Sequence, residues 1–90
     1  MAEAVLDGGT LETMEEVHAR FAQALELPEW YGGTLDALFD CLTDLDRDLT
    51  VRLLRREDLE ARLGRRGRAL VSLLRRAAEE NPHIALSEES

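Results

Sequence analysis

The chain reads as an α/β protein in which a three-stranded parallel sheet is packed with four helices. Three observations carry that reading. Short apolar runs near Ala2, Leu49 and His83 are bounded by turn residues, and stretches with helical spacing lie between them. No two of these strands are adjacent in sequence, so each pair is joined through helices, which favours parallel pairing. The length of 90 residues suits one compact domain, residues 1–90, and is too short for two.

Ala2 to Leu6 forms the first strand and Asp7-Gly8-Gly9 closes it. Thr13, with Glu16 three residues on, has the form of a capping box. Behind it Met14, Val17, Phe21 and Leu25 recur at helical spacing and give a first helix. Pro28 pushes Leu27 out of the α region and Gly32-Gly33 prolongs the break, so residues 27–33 form a loop that carries Trp30 and Tyr31. Thr34 can cap a second helix, in which Leu35, Leu38, Leu42 and Leu45 share the side that faces the core.

Leu49 to Leu54 is the second strand, and Arg55 to Leu63 a short helix stopped by Gly64. The last helix is expected over residues 67–80, with Leu70, Leu73, Leu74 and Ala77 turned inward and Asn81-Pro82 ending it. His83 to Leu86 supplies the third strand, and residues 86–90 read as a short flexible tail.

Charge is unevenly spread. The chain has 19 acidic and 11 basic residues, and every basic one is arginine. Residues 1–48 hold 12 of the acids and only two of the arginines, so the first half carries the negative field. Such a field repels nucleic acid and speeds association with basic partners. Cys41 is the only cysteine, the N-terminus lacks a secretory pattern, and no apolar stretch approaches the roughly 20 residues of a membrane span. The expectation is a cytoplasmic protein, monomeric when free, that engages neither membrane nor nucleic acid.

The second helix concentrates the candidate chemistry. At about 100° per residue, Asp36 and Asp40 fall about 40° apart, and Thr43 and Asp44 extend the same polar stripe. Like charges at i, i+4 weaken a helix slightly, and Asp44 near its C-terminal end opposes the macrodipole, so stability does not favour the pattern. The plain alternative is a solvated helix face. Against it stands the company: Trp30 and Tyr31 immediately precede the helix, and Phe39 borders the acidic stripe. Aromatic anchors beside carboxylates suit a protein interface, although either aromatic could instead cover the core.

Other features carry less. Asp36 and Asp40 have no companion His or metal-ligand cluster that would make an acid/base pair or a metal site, so neither catalysis nor a cofactor is expected. His18 and His83 lack ligand-spaced neighbours. Cys41 suits a small core thiol, and Arg62, Arg65, Arg66 and Arg68 read as solvated charge around Gly64 and Gly67.

The segment from Leu27 to Thr43, LPEWYGGTLDALFDCLT, resembles the central loop and helix of the barstar family, and a weaker match runs across nearly the whole chain. The resemblance implies a barstar-like fold and an inhibitor that blocks the active site of a basic, secreted, guanyl-type ribonuclease. It implies that Asp40 takes the place of an RNA phosphate and Asp36 pairs with a second basic group. Tyr31 and Trp30 would pack on the enzyme, with Thr34, Leu35, Phe39, Thr43 and Asp44 around them. The chain departs from the family pattern at Thr34, Phe39, Asp44 and Leu45, and Arg76 stands where the family has an acidic contact. These departures leave open a barstar-like immunity protein against a different toxin. The acidic face also leaves open a non-inhibitory interaction module.

Overall fold

The computed structural model describes residues 2–27 and 32–89. In chain order the elements are β1 (Ala2–Asp7), α1 (Met14–Leu25), α2 (Leu35–Thr43), β2 (Leu49–Leu54), α3 (Arg56–Leu63), α4 (Arg65–Glu80) and β3 (Ile84–Glu89). The strands form one sheet in the order β1-β2-β3, and both pairs are parallel. The three-stranded parallel sheet with four helices therefore stands as expected.

Register explains how the sheet makes its core. Ala4, Val51 and Leu86 align across the strands, as do Leu6, Leu53 and Glu88. Parallel partners point to the same face, so one face presents Ala4, Leu6, Leu49, Val51, Leu53 and Ile84, all buried, to the helices. The other face stays half-exposed at Val5, Thr50, Arg52 and Leu54. Covering one face only is uncommon for parallel strands, and it accounts for the alternating burial of β2. From the helices, Val17, Phe21, Leu38, Leu42, Leu59, Leu70 and Leu74 complete one contiguous cluster. Each fully buried leucine contributes about 1.5–3 kcal/mol through removal of its apolar surface from water.

Two expectations need correction. Residues 86–89 are not a tail: they continue β3, with Leu53 opposite Glu88 and Leu54 opposite Glu89. The polar composition hid a strand held from outside. Arg75 on α4 donates to both Glu88 carboxylate oxygens, at 3.0 and 2.7 Å, and Arg52 on β2 does the same to Glu89, at 3.0 and 3.4 Å. These donations hold both glutamates below the usual carboxylate range.

Gly67 is the second correction. It lies inside α4, which begins at Arg65, and it is buried. A Cβ there would stand 2.8 Å from the Cβ of Leu63 and 3.2 Å from the Cα of Glu60. The glycine is the place where α4 passes close to α3, and packing outweighs its poor helix propensity.

Candidate functional site

Helix α2 is built to hold its polar side outward. The hydroxyl of Thr34 accepts from the Ala37 N–H at 3.1 Å, the expected cap, and the preceding Gly33 has φ +65°, a left-handed conformation that favours glycine. Leu38 and Leu42 are fully buried, while Asp36, Asp40 and Asp44 are exposed and Leu35, Phe39 and Thr43 half-buried. Asp36 sits in the first turn, where the helix dipole favours an anion. Asp36 and Asp40 make no side-chain hydrogen bond or ion pair with any other described residue.

The remaining candidates divide. Leu35, Asp36, Phe39 and Asp40 line an open groove with Ala69, Ser72, Leu73 and Arg76 of α4. The groove is open to solvent and has a volume of about 690 Å³. Thr34 lines the neighbouring groove beside Met14, His18 and Arg66. Thr43 turns its hydroxyl back onto the helix, donating to the Phe39 carbonyl at 3.0 Å, so an external contact would use its methyl group or lone pairs. Asp44 is the C-cap residue, its N–H bonded to the Asp40 carbonyl at 3.1 Å. Trp30 and Tyr31 lie outside the described residues. Leu45 has left the helix but still packs against the core.

Two positioning contacts had almost no local signal in the sequence. Asn81, buried after α4, donates through Nδ2 to the carbonyls of Leu42 at 2.8 Å and Leu45 at 2.9 Å. The amide closes carbonyls that a helix end leaves open and fixes the C-terminal end of α2 against α4. Arg47, past α2, donates through Nη2 to the Leu25 carbonyl at 2.6 Å and ties the same turn to the end of α1. Only the fact that Asn81 directly follows a helix hinted at a special role.

Cys41 is half-buried on α2. Burial pushes its thiol pKa up, and the carboxylates of Asp40 and Asp44 push it further in the same direction. A thiol with this environment is a weak nucleophile at neutral pH. His18, facing the core from α1, has its pKa lowered by burial, while His83 Nδ1 lies 3.0 Å from Asp48.

By its fold the molecule is a small α/β domain in which one helix, α2, carries exposed carboxylates unpaired among the described residues. The family model described as Barstar (barnase inhibitor) matches residues 1–87. The chain belongs to the barstar family. It is also similar to a Bacillus subtilis (strain 168) protein described as "Putative ribonuclease inhibitor YrdF", with 35% identity over 81 residues that cover 89% of each chain.

Proposed function

We propose that this protein inhibits a ribonuclease by laying α2 and the loop before it over the enzyme's active site. The observation that carries the reading is the pair Asp36 and Asp40, exposed, unpaired among the described residues and held on a helix capped at its N-terminus by Thr34 and anchored at its C-terminus by Asn81. The family match and the relative described as a ribonuclease inhibitor support it. Asp40 replaces an RNA phosphate among the basic side chains that bind substrate, and Asp36 pairs with a neighbouring cation. Carboxylates meeting arginine or lysine there form charge-assisted hydrogen bonds, each worth about 1.5–3 kcal/mol. A helix that does not rearrange loses little entropy on binding. No bond is made or broken; the enzyme is blocked by occupancy.

The target is a basic, secreted ribonuclease of guanyl preference, and the inhibitor acts as a cytoplasmic monomer that protects the producing cell. The net charge of −8 supports fast, salt-sensitive association with such an enzyme. The test titrates the protein and its Asp40→Ala variant into a barnase-type ribonuclease assay at low and moderate salt, after circular dichroism has shown both folded. Near-stoichiometric inhibition by the wild type alone supports phosphate mimicry. Equal inhibition by both removes Asp40 from the mechanism, and inhibition by neither excludes this class of target.

A further inference from the structure

We infer that Arg76 sets the specificity of this face, and that the protein α2 binds carries a carboxylate next to the cationic pocket that receives Asp36 and Asp40. The inference rests on the inhibitory reading of α2 and adds the chemistry of its partner.

The guanidinium carbon of Arg76, on α4, stands 4.9 Å from the centre of the Phe39 ring on α2. Both residues line the groove that also holds Leu35, Asp36 and Asp40. Arg52, Arg56, Arg62 and Arg75 are each engaged by a glutamate. The Arg76 side chain, like those of Arg20, Arg55, Arg65, Arg66 and Arg68, makes no ion pair or hydrogen bond with a described residue, and it is set apart by its place over Phe39. If its role were to neutralise the α2 carboxylates, an ion pair to Asp36 or Asp40 would be expected; instead it lies over an aromatic ring.

Stacking constrains the guanidinium without using its hydrogen bonds. The contact with the ring is a cation–π one and uses none of the guanidinium N–H donors, which no described residue accepts. A planar fork of this kind fits a carboxylate or a phosphate. Two exposed aspartates line the same groove on a chain of net charge −8, and they repel a polyanion while accepting a protein whose charges alternate. The carboxylate of a protein is therefore the favoured occupant. A wholly cationic rim would face Arg76 with a like charge, which penalises the wrong enzyme.

The experiment measures binding of the full chain to barnase and to barnase variants in which each basic side chain at the rim of the active site is changed in turn to glutamate. The wild type is compared with Arg76→Glu, Arg76→Ala and Asp40→Ala, each checked for folding by circular dichroism. The expected result is one rim reversal that tightens the wild type at least about tenfold and does not tighten Arg76→Glu, with Phe39→Leu reducing that coupling. Arg76→Glu should in turn bind unmodified barnase more tightly than the wild type does. Rim reversals that change wild type and Arg76→Glu within about twofold of each other, while Asp40→Ala still loses binding, overturn the inference and leave the inhibitory reading intact. If Asp40→Ala binds like the wild type, Asp40 drops out of the inhibitory mechanism, and if no form binds any barnase variant, this class of target is excluded; either result removes the pocket on which the inference rests and overturns it. Binding of a labelled single-stranded RNA that Arg76→Ala abolishes would assign the fork to phosphate and also overturn the inference.

Discussion

The side-chain amide of Asn81 donates to the main-chain carbonyl of Leu42 across 39 positions of sequence, at 2.8 Å. The same nitrogen reaches Leu45, and the Asn81 side-chain oxygen accepts from the His83 N–H at 3.0 Å. One buried residue thus joins the end of α2, the end of α4 and the start of β3.

Asn81→Ala removes the donations to the Leu42 and Leu45 carbonyls and leaves the Leu42 carbonyl its long contact with the Leu45 N–H at 3.3 Å. The expected loss is about 1–3 kcal/mol of unfolding free energy, or roughly 5–20 °C in Tm for a domain of this size. Asn81→Asp should cost at least as much, because a carboxylate cannot donate to two carbonyls. Urea denaturation followed by circular dichroism measures both, and a Cm within error of wild type for Asn81→Ala would show that the bridge contributes nothing.

Asp36→Asn and Asp40→Asn should separate stability from binding. Asp36 occupies the favourable end of the helix dipole, so its neutralisation costs about 0.3–1 kcal/mol. Asp40 lies one turn on and repels Asp36, so its neutralisation is neutral or stabilising by a few tenths of a kcal/mol. Inhibition should respond in the opposite order, with Asp40→Ala weakening binding by about a hundredfold or more. Thermal melts and inhibition assays on the same preparations check the contrast.

Gly67→Ala sets helix propensity against packing. Alanine gains up to about 1 kcal/mol inside a helix. The added methyl would meet the Leu63 Cβ at 2.8 Å, a side-chain atom fixed to its own helix, so α3 and α4 must move apart. The expected balance is a net destabilisation of about 1–2 kcal/mol. A variant more stable than wild type would show that the two helices have room to relax.

The Cys41 thiol makes a prediction at alkaline pH. Its folded pKa is raised, so the stability it confers is complete below the ordinary thiol range and is lost as pH rises through the folded value. Cys41→Ala should flatten that part of the stability curve. Asp40→Asn removes the second cause of the shift and should speed maleimide labelling a few-fold at about pH 8, while burial keeps the thiol slower than free cysteine. An unchanged labelling rate would mean that Asp40 does not act on the thiol.

Much of α2 was legible in advance because its signals are local. Thr34 caps the helix three residues ahead of its donor, and Leu38 and Leu42 repeat at one helical turn. The exposure of Asp36 and Asp40 then follows from geometry. The misreadings at Gly67 and at residues 86–89 share a cause: each depends on a partner in another element, Leu63 and Glu60 for the glycine, Arg75 and Arg52 for the strand end.

By itself the sequence determined the order of strands and helices, the side of α2 that faces the core and the acidic stripe it leaves outside, because periodicity and capping act within a turn or two of chain. Only the tertiary structure decided that Asn81 anchors α2, that Arg76 lies over Phe39 beside the aspartates, and that the acidic C-terminal segment is a paired strand. Those outcomes depend on which distant groups the folded backbone brings within hydrogen-bond or van der Waals reach. Interactions that short cannot be read from spacing along the chain.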